Sequence, residues 1–286
     1  MSLPSVTIGV ATYNRKNLLE MMAKSLYMSD LTSFETHIRI YDDCSTDFNE
    51  DYLKNLFPGA VTVVRNKKNL KADLNTYNMY CDFLNSEDEF FFNADSDLIF
   101  NKNWLNFLKE NMAQTDGVLS IFNAAVNHPE IKENAGSIPG GLIQKEHIGA
   151  AGTFFSRKRM EEIVENMNAE ERKEIDWNFS KMFRRNGVRI LCSEESYVQH
   201  IGLAFGQHAN FFCNDYGKGF KVDSIENGQI LNDVMDSLID FMPDYMKGVK
   251  AQVTKHVETN YKNTIDFRLG QMMLKPLRIF KHLLKK

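Results

Sequence analysis

Residues 90–100 read FFFNADSDLIF. Apolar residues open and close the stretch, and Asp95 and Asp97 stand between them. The run from Glu89 to Asn93 has the length and apolar content of a buried strand. At i and i+2 of an extended segment, the two carboxylates that follow project to the same side. Carboxylates that close repel, and one stays protonated unless a cation intervenes. A hard divalent cation, Mg2+ or Mn2+, removes the conflict and takes its remaining ligands from phosphates and water. An Asp- and Ser-rich turn explains a bare Asp-x-Asp equally well. The strand that leads directly into this one makes it more specific.

Working outward, strands are expected at Val6–Ala11, Thr36–Tyr41, at 61–65 and at Gly117–Phe122. Helices are expected at Lys16–Met28, Phe48–Leu56, Ala72–Leu84 and Trp104–Met112. This alternation predicts an α/β fold with a mostly parallel sheet covered on both faces and joined by right-handed connections. In such sheets ligands bind beyond the carboxyl ends of the strands. The first strand is followed by Thr12, Tyr13, Asn14 and Arg15, and the second by Asp42, Asp43 and Ser45. The third is followed by Asn66 and Asn69, and the fourth by Asn93, Asp95, Ser96 and Asp97. Capping of the next helix accounts for Asp42 or Asp43 alone. It does not account for four polar strand ends along one edge.

After residue 123 the rhythm breaks. Residues 123–149 are polar and rich in Gly and Pro, as in a long functional loop or a lone hairpin. Helices follow at Arg157–Asn168 and Arg172–Asn186, the second closed by Gly187, and short strands at Val188–Cys192 and Tyr197–His200. The domain division expected is 1–224 for the catalytic body, with halves 1–100 and 101–224, and 225–286 for a helical C-terminal extension. The four widely spaced cysteines form no CxxC pair, which argues against zinc or a redox motif and fits a reducing compartment. A net charge of −4 gives no argument for nucleic acid. With no signal peptide or apolar run of about 20 residues, a cytoplasmic location is expected.

The segments VTIGVATYNRKNLLEMMAKSL, IRIYDDCSTD, VVRNKKNLKADLNTYN, EFFFNADSD and DWNFSKMFRRNGVRI, with YVQHIG after them, together resemble the family 2 inverting glycosyltransferases of the Rossmann-like GT-A fold. The resemblance spans roughly residues 5–202. It implies a nucleotide-sugar donor held by Thr12, Tyr13, Asn14, Arg15, Asp43, Asn69, Asp95 and Ser96. UDP is the favoured nucleotide, with Asp43 on the uracil and Asp95 on the ribose or sugar. It implies Mn2+ or Mg2+ on Asp97 and His200, and Asp176 as general base, with Glu174 as the fallback. The small-residue segment Gly149–Phe155 resembles the donor-sugar lining; a tightly packed strand start explains it equally. Three positions depart from the family pattern. Ile175 stands where Glu often precedes the base, Lys71 lies near a usual glycine, and Tyr77 replaces an arginine. The Gln-x-x-Arg-Trp signature of processive synthases is missing, which implies single additions.

The implied reaction transfers one sugar to a hydroxyl of a saccharide or lipid-linked saccharide, with inversion, in surface polysaccharide or lipid-linked oligosaccharide synthesis. From Lys262 onward, seven basic residues alternate with apolar ones against the single acidic Asp266. That pattern resembles an interfacial amphipathic helix, placing the protein peripherally on the inner leaflet. Packing on the domain or in a homodimer is the competing explanation. Two other functions remain in view. A sugar-nucleotide-forming nucleotidyltransferase would need a Gly-rich phosphate loop that is absent here, and a non-catalytic sugar-binding module would need no base.

Overall fold

In a computed structural model, residues 2–60, 62–124, 127–131, 138–202, 216–234 and 236 are described. The quoted strand, β4 (Phe90–Asp95), lies mid-sheet. On one side run β1 (Ser5–Thr12), β2 (Glu35–Asp42) and β3 (Thr62–Arg65), all parallel to it. On the other side come β8 (Thr153–Ser156), β6 (Val118–Ser120), β9 (Leu191–Ser193) and β7 (Leu142–Gln144). The order is β3-β2-β1-β4-β8-β6-β9-β7. β8 is antiparallel to both neighbours and β7 is antiparallel to β9. The sheet is therefore mainly parallel, with its antiparallel pairings confined to the later half. A second, two-stranded sheet pairs β5 (Leu98–Phe100) with β10 (Val198–His200).

Side chains alternate across β4, so its phenylalanines serve two cores. Phe92 packs on Trp104 at 4.4 Å between ring centroids, in the core formed with α1 (Lys16–Met28), α2 (Glu50–Leu56) and α4 (Trp104–Asn111). Phe91 faces the other core, against Tyr80 and Phe83 of α3 (Ala72–Phe83) and the helices α5 (Arg157–Asn166) and α6 (Ile175–Arg185). Each such fully buried phenylalanine contributes about 2 kcal/mol of hydrophobic stabilisation. α1 obeys the expected helical spacing, burying Leu18, Leu19, Met22 and Leu26. α6 stops at Arg185, and Gly187 turns the chain away at φ +72°.

Several expected boundaries move. β4 runs on to Asp95, which pairs with Ala11, so Asp95 belongs to the strand and does not lie beyond it. Ser96 and Asp97 then form a turn, and the extended geometry assumed for the two carboxylates does not reach Asp97. Residues 123–149 are not a lone hairpin: β7 joins the main sheet as its edge strand. α6 begins at Ile175, three residues later than expected, because Asp73 accepts hydrogen bonds from the amides of Glu174 and Ile175 and fixes its first turn from α3.

The chain divides into compact units Met1–Val234 and Met235–Lys286. A helical stretch over 225–234 is tied to the first unit by Asn227, which donates to the Phe100 carbonyl at 2.8 Å and accepts from Ser25 at 3.0 Å. The basic tail from Lys262, together with His208 and Cys213, lies outside the described residues. Among the described residues, no helix is long and apolar enough to cross a membrane.

Candidate functional site

The register Ala11↔Asp95 and Thr12↔Asp42 sets the carboxyl ends of β1, β2 and β4 level. The polar residues after them meet at a cleft of about 610 Å3. Thr12, Tyr13, Asn14, Arg15, Asp43, Asn69, Asp95 and Ser96 all line it, so the eight expected donor-binding residues share one wall system. They do not share one task. The Asn14 side chain accepts from the Thr46 amide at 2.7 Å and braces the loop after β2. Asn69 accepts from the Lys71 amide at 2.9 Å. Asp43 accepts from the amides of Leu70 and Lys71 at 2.7 and 2.8 Å, which holds the turn after β3 against the cleft. Asp42 is fully buried, bonded to Ser45 and paired with Arg65 at 3.3 Å, as a support for its loop.

Backbone strain gathers at the same place. Among the described residues, the non-glycine positions with positive φ are Asn14, Arg15, Cys44, Lys71 and Glu174. The first four follow β1, β2 and β3, and Glu174 precedes α6. Such conformations cost on the order of 1–3 kcal/mol each and persist where surrounding contacts over-determine them. Lys71, at φ 70°, adopts a backbone conformation that favours glycine.

Asp97 is 2% exposed and sits in the turn between β4 and β5. The β5–β10 pairing carries His200 to it, with the Ile201 amide donating to the Asp97 carbonyl at 2.8 Å. His200 Nε2 lies 3.1 Å and Arg15 Nη1 2.6 Å from Asp97 Oδ2. Burial alone would push this carboxyl up; His200 and then Arg15 outweigh it and hold it well below the usual carboxylate range. Asp97 Oδ1 is buried with no hydrogen-bond partner among the described residues. A Cβ at Gly202 would overlap the Asp97 carboxylate and stand 3.1 Å from His200 Nε2, so only glycine leaves that space open. A buried carboxylate oxygen without a partner, beside an imidazole, fits a divalent cation such as Mn2+ or Mg2+. Among the described residues no group of three or more His, Cys, Asp or Glu gathers at one point. The described residues thus offer fewer ligands than a self-sufficient metal centre.

Asp95 occupies the junction, lining both this cleft and a second cavity of about 400 Å3. Burial, then the charge of Asp97, pushes its carboxyl up to about 6. Asn93, fully buried, orients it. Its Nδ2 donates to Asp95 at 3.1 Å while its Oδ1 accepts from the Tyr80 hydroxyl at 3.0 Å.

The second cavity holds Asp176, with His200 on its wall. Asp176 accepts from the Trp177 amide at 2.8 Å. Burial, with the charges of Asp73 and Glu174, raises its carboxyl above the ordinary aspartate value. Glu174 is exposed and lines neither cavity. The sequence gives no role to His128, His147, Trp177, Asp73 or Gly202, yet both histidines and Trp177 line this cavity. Glycine after a strand-end histidine was the one available signal among them, for Gly202.

A mainly parallel sheet with polar strand ends, opening on two adjoining cavities, defines an α/β protein whose ligand site lies beyond the carboxyl ends of its strands. Residues 7–189 match the family described as Glycosyl transferase family 2, and the chain belongs to that family. No curated protein matches the sequence. Among solved structures, S. aureus TarS aligns with a TM-score of 0.49 at 19% identity, covering 68% of this chain and 36% of TarS. TarS 1–349 in complex with UDP-GlcNAc gives 0.47 at 21% identity over 68% of this chain and 57% of that one. The mannosyltransferase PcManGT from Pyrobaculum calidifontis, in complex with GDP-Man and Mn2+, gives 0.47 at 16% identity over 68% and 56%. The matched region spans under two thirds of each of those chains.

Proposed function

We propose that the chain transfers one sugar from a nucleoside-diphosphate sugar, UDP favoured, to an acceptor hydroxyl with inversion at the anomeric carbon. One observation carries this reading: the cleft lined by the eight strand-end residues joins, through Asp95, the cavity that holds Asp176. The nucleotide lies against Thr12, Tyr13 and Asp43, with Asp95 on the ribose or sugar. Asp176 takes the proton of the attacking hydroxyl, and its raised basicity suits that role. The acceptor oxygen bonds to the anomeric carbon as the bond to the diphosphate oxygen breaks, and the nucleoside diphosphate leaves with the bonding pair. Asp97 and His200 would hold a divalent cation there. When bound, that ion supplies Lewis-acid neutralisation of the leaving diphosphate. Arg15, already at Asp97, adds positive charge beside the same group.

Calorimetry with UDP and Mn2+ tests the reading. Binding of UDP that strengthens when Mn2+ is added is expected; UDP binding indifferent to the metal would overturn metal dependence. The alternation of basic and apolar residues after Lys262 supports peripheral attachment at an anionic inner leaflet, where a lipid-linked acceptor is found. Equal sedimentation with anionic vesicles by the full chain and by one ending near residue 260 would remove the tail as the anchor.

A further inference from the structure

The cavity around Asp176 has a wall that donor binding leaves unused. His147 stacks on Trp177 with ring centroids 3.8 Å apart and planes at 29°, and His128 stands edge-on to His147 at 5.5 Å. Trp177 is 46% exposed, while Trp104, the other tryptophan, is fully buried. His128 is 7% exposed, and its Nδ1 has no hydrogen-bond partner among the described residues. The point where a Gly149 Cβ would stand lies 3.4 Å from His128 Nε2 and 3.9 Å from Asp176 Oδ2. Imidazole and carboxylate therefore face a common gap that glycine leaves open. Lys145 holds the imidazole in place: fully buried, it donates from Nζ to the His128 carbonyl at 2.7 Å, and its own amide donates to the Ile190 carbonyl at 2.9 Å.

We infer that this wall is the acceptor subsite and that it takes an uncharged sugar ring. One C–H face of the ring lies on Trp177, the reacting hydroxyl meets Asp176, and a neighbouring hydroxyl bonds to His128. A pyranose offers one apolar face and a rim of hydroxyls. A half-exposed indole beside buried polar groups matches both, since aromatic rings bury apolar area while neighbouring donors and acceptors fix orientation. Charge selects the class of sugar. Among the described residues the cavity is lined by Asp73, Asp95 and Asp176 and by no Lys or Arg. Burial pushes His128 down to about 3 and lowers His147 as well, so both rings are neutral at pH 7. A uronate or a phosphate on the acceptor ring would meet carboxylates there with no lysine or arginine to pair with.

The inference rests on Asp176 being the base, so its test is read without turnover. The full chain is titrated with neutral methyl pyranosides and with their uronate counterparts, and ligand-observed saturation transfer from aromatic protons is recorded. At least one neutral pyranoside is expected to bind and the uronates to fail. Trp177→Ala should weaken that binding at least fivefold and Trp177→Phe should retain it. His128→Ala should weaken it and His128→Gln should partly restore it, since the amide reaches the Nε2 position. No binding across the neutral panel, equal binding by Trp177→Ala, or preference for uronates would each overturn the inference. In turnover, Trp177→Ala should raise the acceptor KM tenfold with the donor KM unchanged; an unmoved acceptor KM counts against the subsite. Normal transfer by Asp176→Asn would instead sink the assignment of the base, while glycoside binding at Trp177 would still be read by the titration.

Discussion

The two cavities meet at Asp95 and treat buried charge in opposite ways. Around the strand-end cleft Asp42, Asp43 and Asp97 each have strong partners, while Asp95, shared by the two cavities, is pushed up by burial and by the charge of Asp97. Asp42 has Ser45 and Arg65, Asp43 has the amides of Leu70 and Lys71, and Asp97 has Arg15 and His200. In the neighbouring cavity Asp176 faces the charges of Asp73 and Glu174, and its carboxyl is pushed up. Compensated charge braces the loops around the cleft. Uncompensated charge leaves a carboxylate with a raised appetite for a proton. The difference is the one expected between a surface that binds and a group that reacts.

The largest effect that would break this contrast is at Asp176. Asp176→Asn should lower kcat by about 10²–10⁴-fold, the usual contribution of a general base, while donor affinity measured by calorimetry holds. A smaller loss is expected on the compensated side. Gly202→Ala pushes a methyl group into the Asp97–His200 pair and should weaken Mn2+ binding by about 10–100-fold, read by calorimetry or by the EPR signal of free Mn2+. The smallest effect concerns stability. A carboxyl whose folded pKa is raised disfavours folding once it ionises. The stability of the native aspartate is therefore fully present below the unfolded pKa near 4 and is lost as pH rises through the folded value. Asp176→Asn should then raise stability at pH 7.5, and the gain should shrink as pH falls toward the unfolded value near 4, as followed by thermal melts. The same sign sets the rate profile of the native enzyme, whose activity falls as acid protonates the base, with a midpoint above the ordinary aspartate value.

The strand-end cleft was legible because its physics is local. Apolar runs such as VTIGVA and FFFNA mark strands, and the polar residues just after them fall on one edge. Asp97 and His200 were assigned through the family resemblance, and their contact depends on β5–β10, of which β5 was not foreseen. A three-residue strand such as Leu98–Phe100 has no period of its own; it exists because a partner from residues 198–200 pairs with it. β8 was ambiguous for the same reason, since Thr153–Ser156 becomes a strand by fitting between β4 and β6. The acceptor-side wall was the least legible part. His128, His147 and Trp177 come from a loop, a turn and a helix and meet only through tertiary packing. A histidine that is 7% exposed looks in sequence like any solvated one.

The place of β8 also bears on how the chain is made. Residues 5–95 can complete β3-β2-β1-β4 as soon as they emerge, but β4 then borders open solvent until residue 156 arrives to pair with it. During synthesis that border displays unpaired amides and carbonyls along Phe90–Phe92, the kind of edge that recruits other strands. At about 5–20 residues per second, the roughly sixty residues between β4 and β8 leave it uncovered for about 3–12 seconds on each ribosome. The antiparallel insertion thus sets a vulnerable interval in biosynthesis, and it places the closing of the sheet after most of the donor cleft has already formed.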